Sequence, residues 1–140
     1  MTIYEVIDAF KKISLKQPNI NSFGEGNIYD FMNADPAKKY ASFFVTQGQH
    51  QETEMFDKYN LTLFYVDRLE DDEQNRLQVQ STGKEVISNV IKTFMENFDD
   101  AEYTQIIYQP FTQRFTDYCA GIFATIVIDL PKSSVCAEDY

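Results

Sequence analysis

Apolar residues follow two helical repeats along the chain. From residue 3 to 13, and again from residue 79 to 98, they recur three or four positions apart, which is the spacing of one helix face. Thr2 and Glu5 have capping-box spacing at the first helix, and Pro18 ends the pattern. Gly83, inside the second helix, indicates either a kink or a close backbone contact. The repeating positions are Ile3, Val6, Ile7, Phe10 and Ile13, then Val79, Val86, Ile87, Val90, Ile91, Phe94 and Phe98.

The acidic run Glu70–Glu73 precedes the second helix. Asp71 and Gln74 have capping-box spacing, and carboxylates favour the positive end of a helix dipole, so the run predicts a helix start near Asp72. A metal site is the alternative, but the run lacks the alternating oxygen ligands and the turn glycine of a calcium loop. Asp99–Glu102 predicts a solvated loop after the helix, because negative charge is unfavourable at a helix C-terminus.

The rest of the chain has strand patterns. In Tyr40–Gln47, Phe43 and Val45 fall on one face and Phe44 on the other, and a returning strand over Glu52–Leu69 follows a hairpin connection at residues 48–50. A last strand, over Tyr118–Leu130, is apolar on both faces, which predicts a central, doubly covered position in a sheet. Shorter patterns predict a loop at Asn19–Gly26, strands at Asn27–Asn33 and Tyr103–Tyr108, and a break at Pro110.

The returning strand is longer than a domain of this size requires. About 17 residues at about 3.3 Å each span roughly 50 Å, against a radius of gyration of roughly 14 Å. We therefore expect Gln47–Asp57 to project as a long hairpin whose unpaired backbone groups pair with a neighbouring chain; a solvent loop is the alternative. The tail Lys132–Tyr140 is a second docking candidate. The expected interface residues are the amides Gln47, Gln49 and Gln51 and the apolar anchors Met55 and Phe56.

Composition places these elements in one globular domain spanning residues 1–140. The chain is 44% hydrophobic, has 12 Phe and 9 Tyr, and carries a net charge of -10. Such a charge repels nucleic acid phosphates, so direct DNA binding is not expected. The first residues lack the apolar segment of a secretory signal, and Ile122–Leu130 is far shorter than the roughly 20 residues that span a bilayer. We expect a soluble protein made in the cytosol, without a membrane partner.

Candidate chemistry is sparse. His50 is the one histidine, and it lies in the predicted polar hairpin, a poor position for a preorganised base. Cys119, expected to be buried in a strand, and Cys136 have no metal-ligand spacing and fit a reducing compartment. Gly24 and Gly26 lack the third glycine of a phosphate-binding loop. We therefore predict no catalytic residue, no metal and no cofactor, and a protein that is not an enzyme.

One long segment resembles a known group of proteins. The stretch VDRLEDDEQNRLQVQSTGKEVISNVIKTF, between the strands LTLFYVDRL and DYCAGIFATIVIDLP, is similar to tail-terminator or neck ring proteins of Bacteroides phages of the crAss-like group. The resemblance covers roughly residues 40 to 136 and rests on element order and on the neighbourhoods of Asp67–Leu69 and Ala120–Gly121. It implies an α+β domain in a ring of six or twelve copies around a DNA channel, with no catalytic residues to carry over.

Together these patterns predict an α+β fold: a curved antiparallel sheet, two helices packed on one face and a long projecting hairpin. The expected function is a structural virion protein of the phage neck, head–tail connector or tail, assembled in the bacterial cytoplasm. Its partners would be copies of itself and other ring, portal or tail proteins, with DNA passing through unbound. Glu70–Glu73 or Asp99–Glu102 would face that channel, or else merely solvate the helix ends. The alternative function is a small acidic phage-encoded interaction or inhibitor module without enzymatic activity.

Overall fold

The computed structural model describes residues 1–27, 40–69, 74–114 and 118–132. In these ranges the chain forms two helices and one six-stranded sheet, which confirms the α+β class. The elements are α1 (Ile3–Leu15), β1 (Ser22–Glu25), β2 (Ser42–Gln47), β3 (Gln51–Glu52), β4 (Phe56–Arg68), α2 (Arg76–Asn97), β5 (Ile106–Arg114) and β6 (Tyr118–Pro131).

The sheet is mixed rather than antiparallel. Its order is β1-β2-β4-β6-β5, with the short β3 also beside β4, and β1 lies parallel to β2 while every other pairing is antiparallel. The predicted loop at Asn19–Gly26 is therefore wrong, because Ser22–Glu25 forms a strand. The polar, glycine-containing sequence of β1 has little strand pattern of its own. This segment is ordered by its pairing with β2 and by the stacking of Phe23 on Phe43, whose ring centroids are 6.3 Å apart.

Both helices pack on one face of the sheet, as predicted. The Thr2–Glu5 capping box is present at the start of α1, and Phe10 stacks on Phe94 of α2 at 4.6 Å between ring centroids. At Gly83 the second helix approaches the sheet so closely that an added Cβ would lie 2.7 Å from Ile122 Cγ2. The helix-covered face is mostly aliphatic and is buried: Phe43, Val45, Leu61, Leu63, Tyr65, Ala124, Ile126 and Ile128.

The central position predicted for the last strand is confirmed, since β6 lies between β4 and β5, but the predicted double cover is not, because the described helices cover one face and Val127 is 41% exposed on the other. The central position of β6 also removes the reason for a projecting hairpin. Every residue of β4 from Phe56 to Arg68 pairs with β6, from Pro131 to Cys119, so the long strand lies within its own sheet over its whole length. The prediction that this strand is too long for its own sheet is wrong, because the last strand, β6, is equally long.

The hairpin turns later than predicted. Residues 48–50 are a bulge, because three residues stand opposite two between the pairs Gln47↔Leu61 and Gln51↔Lys58. The turn itself is at residues 53–55, where the Thr53 N–H donates to Phe56 O at 2.8 Å and the Phe56 N–H donates to Thr53 Oγ1 at 3.0 Å. Gly48 suits the bulge, since an added Cβ would lie 3.0 Å from the Asn60 side chain.

Two further boundaries differ from the sequence prediction. Strand β5 continues through Pro110, because an edge strand can accommodate a residue without an N–H. Helix α2 starts at Arg76, and its N-cap Asn75 donates through its side-chain amide to Arg68 O at 3.1 Å. The predicted start at Asp72, with Asp71 and Gln74 as its capping box, is therefore wrong.

Candidate assembly surface

The structure places the five predicted interface residues around the hairpin end of the sheet, but on different sides. Gln47 belongs to the helix-covered face, as its strand neighbours Phe43 and Val45 do. Gln51, opposite Lys58, belongs to the other face. Met55 lies at the turn with 69% of its surface exposed, and Phe56 is half-buried opposite Pro131. The predicted residues therefore form two surfaces rather than one.

The first surface is a cleft of about 330 Å³ between α1 and the edge of the sheet. Gln47 lies at one wall, and Tyr4, which is 76% exposed, lies on α1. The N-terminus is held here because Tyr59 Oη donates to Met1 O at 2.6 Å. Burial, more than nearby carboxylates, raises the pKa of Tyr59, so the hydroxyl stays protonated as this bond requires. The lining residues are Ile3, Tyr4, Ile7, Asp8, Lys11, Glu25 and Gln47.

The second surface lies on the opposite face of the sheet and includes two predicted residues. Gln49 and Gln51 line a cleft of about 100 Å³ with Lys58, Asn60 and Val127. Val127 is 41% exposed. We call this cleft together with Met55 the assembly surface. The sequence prediction of the interface did not include Val127; strand alternation, which puts it on the opposite side of β6 from Ile126 and Ile128, was the signal that could have found it.

His50 organises the bulge beside this cleft. The Asn60 N–H donates to Nδ1 at 3.1 Å, and Nε2 lies 2.9 Å from Gln47 Oε1. With Nδ1 as acceptor, Nε2 carries the hydrogen and donates to the amide oxygen. The ring also packs edge-on against Tyr59 at 5.3 Å between centroids. These contacts give His50 a structural role, since both ring nitrogens are engaged in fixing the bulge.

Lys58 is held at the cleft by an ion pair across the strands. Its Nζ lies 3.1 Å from Asp129 Oδ2, and both side chains are partly buried. The other carboxylate oxygen, Oδ1, is buried and has no hydrogen-bond partner among the described residues. The ammonium group thus has a fixed position at the wall of the cleft.

A row of four phenylalanines continues along the same face, one from each of four adjacent strands. Phe64 lies 6.5 Å from Phe44, 5.2 Å from Phe123 and 6.1 Å from Phe111, measured between ring centroids. Phe44 is buried and the other three are half-buried. We call these residues the aromatic row. They are contiguous with the assembly surface through Thr62 and Thr125 of β4 and β6.

Exposure on this opposite face changes from one end to the other. Near the end of β4, Val66 and Cys119 are fully buried with Tyr40, Phe64 and Phe111 packed on them, and Cys119 Sγ lies 3.3 Å from the Tyr40 hydroxyl. The expected burial of Cys119 is confirmed. Towards the hairpin, Ile107 is 57% exposed and Val127 is 41% exposed. The accessible apolar surface is therefore concentrated beside the cleft.

Other predicted features have mixed outcomes. Asp99–Glu102 forms a loop as expected, with the Glu102 backbone paired to Asp129. No group of three or more His, Cys, Asp or Glu residues placed to hold a metal ion occurs within the described ranges. Neither described helix combines the length and apolar character needed to cross a membrane. Outside the described residues lie most of the predicted strand at Asn27–Asn33, the run Glu70–Glu73, Cys136, and all but the first residue of the tail Lys132–Tyr140.

Comparison with known protein families and with curated proteins finds no match to this chain.

Proposed function

We propose that this chain is the structural subunit of a homo-oligomeric ring in a phage particle, in the neck, head–tail connector or tail, around the DNA channel. The observation that carries the proposal is the assembly surface beside the aromatic row. Val127, which is 41% exposed, lies there beside the side-chain amides of Gln49, Gln51 and Asn60, and Met55 is exposed at the hairpin turn. Apolar anchors inside a polar rim are the usual composition of a protein–protein interface.

The fold and the sequence resemblance support the same function. The structure has two helices on one face of a sheet and the strand–helix–strand–strand order of β4, α2, β5 and β6, which is the element order on which the resemblance to tail-terminator and neck ring proteins rests. In the ring, the assembly surface contacts the next copy and the hairpin turn at Met55 reaches that neighbour. The ring has six or twelve copies and binds other ring, portal or tail proteins of the virion.

The charge of the chain fits a channel that DNA must pass without adhering. The net charge is -10, and Asp99–Glu102 adds an exposed acidic loop at the end of α2. Like charge at the channel lowers the affinity for a passing duplex. We therefore place this loop at the channel or its rim, and no specific DNA contact is part of the function.

Gel filtration with light scattering, followed by electron microscopy of the assembled fraction, tests the ring. Val127→Glu and Met55→Glu each place a charge in the assembly surface and should weaken self-association about tenfold or more. Leu77→Glu is the matched control, because Leu77 is 71% exposed on α2, away from the assembly surface. All three variants should keep the wild-type thermal stability, because each replaced side chain is exposed.

A wild-type chain that stays monomeric at every concentration, and does not join purified connector or tail components, would refute the ring. That outcome would favour the small acidic interaction or inhibitor module instead. Equal assembly by the Val127→Glu and Leu77→Glu variants would refute the assigned surface while leaving a ring possible through another one. Rings with Asp99–Glu102 on the outer wall would refute the channel placement.

A further inference from the structure

The end of the sheet farthest from the hairpin contains a polar cavity of about 460 Å³. It lies between the loop after α1, the start of β2, the end of β4 and the first turns of α2. Its volume falls within the range of small-molecule sites, which is roughly 300–1,000 Å³. The lining residues are Pro18, Asn19, Asn21, Tyr40, Ala41, Tyr65, Asp67, Asn75, Gln78, Val79 and Thr82.

Asp67 is the one charged residue among the described residues that line the cavity. Strand alternation puts it on the helix-covered face, in line with the buried Leu63 and Tyr65, where a carboxylate is unusual. Its Oδ1 accepts from the Arg68 N–H at 2.8 Å, and no ion pair with Asp67 occurs in the part of the chain that the structure describes. The Arg68 guanidinium stacks on the Tyr40 ring instead, 5.0 Å from its centroid.

The negative charge of Asp67 is only partly compensated. Burial, opposed by the Arg68 backbone hydrogen bond and the Arg68 charge, raises the pKa of Asp67 above its usual value. Tyr65 adds no second charge, because burial raises its pKa to about 12 and keeps the phenol neutral. Among the described lining residues, Asp67 is thus a carboxylate surrounded by neutral amides and hydroxyls. A half-buried carboxylate that has no ion pair with another described residue favours a cation.

The remaining lining residues offer hydrogen-bond acceptors beside that charge. Asn21 donates through Nδ2 to Tyr40 O at 2.7 Å, so its Oδ1 is not used in that bond. Asn19, Gln78 and Thr82 also line the cavity, and each of these residue types has a side-chain oxygen that can accept a hydrogen bond. Several acceptors around one carboxylate match the several N–H donors of an ammonium or guanidinium group.

We propose that this cavity binds a monovalent organic cation, an ammonium or guanidinium group, through the Asp67 carboxylate. The group belongs either to a free small molecule or to a Lys or Arg side chain of a partner chain. This site is at the opposite end of β4 from the assembly surface, and the proposal does not depend on the ring. The amides of Asn19, Asn21 and Gln78 orient the bound group by accepting its remaining N–H bonds.

NMR titration of the whole ¹⁵N-labelled chain with methylguanidinium tests the site. Methylurea is the probe control, because it has nearly the same shape and no charge. Methylguanidinium should shift the Asn21 side-chain amide and the Val79 N–H saturably, and methylurea should bind at least about tenfold more weakly. Asp67→Asn should lower the methylguanidinium affinity about tenfold or more. Asp129→Asn removes a carboxylate on the opposite face and should leave that affinity unchanged.

Self-association of the same variants shows whether the bound cationic group belongs to a partner chain or to a free small molecule. If Asp67→Asn or added methylguanidinium weakens assembly, the natural occupant is a basic side chain of another copy. If assembly is unchanged while methylguanidinium binding is lost, the occupant is a free cation or another protein's side chain. The proposal is overturned if methylguanidinium produces no saturable shift, if methylurea binds equally well, or if a folded Asp67→Asn chain binds the cation as tightly as the wild type.

Discussion

The two faces of the sheet are built from the same strands and both contain apolar residues, yet they differ in packing. On the helix-covered face, Ile126 and Leu63 are almost completely buried beneath α1 and α2. On the opposite face, Phe123 and Thr125 of the same strand are half-buried, and Val127 is exposed. The comparison shows that strand alternation identifies apolar faces but does not identify what covers them.

The difference also suggests how stability and assembly are divided. The helix-covered face contains the stacked pair Phe10 and Phe94 and the close contact at Gly83, which are features of a tightly packed interior. The aromatic row keeps its rings at 5.2–6.5 Å across four strands without a described helix above it. A substitution should therefore affect folding on the first face and, in the proposed ring, association on the second.

Adjacent residues of β6 provide the largest expected contrast. Ile126→Asp buries an unpaired charge beneath the helices and should destabilise the chain by several kcal/mol, enough to prevent soluble folding. Thr125→Asp, one residue earlier on the opposite face, should cost about 1 kcal/mol or less, because Thr125 is half-exposed. Soluble yield and urea denaturation measure both. A soluble Ile126→Asp chain with wild-type stability would mean that the core assignment is wrong.

Much of this core was predictable because its signals are periodic. The residues Val86, Val90 and Phe94 repeat at helical spacing, and all three are buried on α2. The capping box at Thr2 and the central position of β6 likewise follow from local sequence alone. Such features can be predicted because each one is determined by residues a few positions apart.

The features that were missed depend on contacts between distant segments. Strand β1 exists because Phe23 stacks on Phe43, twenty positions away, and no local pattern indicates this pairing. The length of β4 was misinterpreted because its partner is distant in sequence: β6 starts fifty residues after the end of β4. The Asp67 cavity combines residues from four segments, and its one sequence signal is a carboxylate at an inward-facing strand position.

Gly83 tests how closely the second helix approaches the helix-covered face, with a smaller expected effect. In Gly83→Ala the new Cβ would lie 2.7 Å from both Ile122 Cγ2 and Tyr65 Cδ1. Overpacking costs about 1–3 kcal/mol, which should exceed the roughly 1 kcal/mol gained in helix propensity. Ser81→Ala on the exposed side of α2 is the control and should not destabilise. Net stabilisation of Gly83→Ala in thermal and urea unfolding would mean that the helix and the sheet are farther apart.

Asp67 gives the smallest effect and tests a charged position on the helix-covered face. Burial raises the pKa of Asp67 in the folded chain above its ordinary value of 3.8. Between these two pKa values the folded chain binds more protons than the unfolded chain, so stability falls as pH rises through this interval. The contribution of Asp67 to stability is thus fully present below about pH 3.8 and lost once the pH exceeds its folded pKa.

Asp67→Asn removes this titration and keeps the shape of the side chain. The variant should gain stability relative to the wild type as pH rises from acid to neutral, and the gain should level off above the folded pKa of Asp67. Asp99→Asn, in the exposed acidic loop, controls for the loss of one negative charge from an acidic chain. Urea denaturation across this pH range measures the difference. If Asp67→Asn were instead less stable than the wild type at neutral pH, the ionised carboxylate would be stabilising, and the cavity would already satisfy its charge without a cationic ligand.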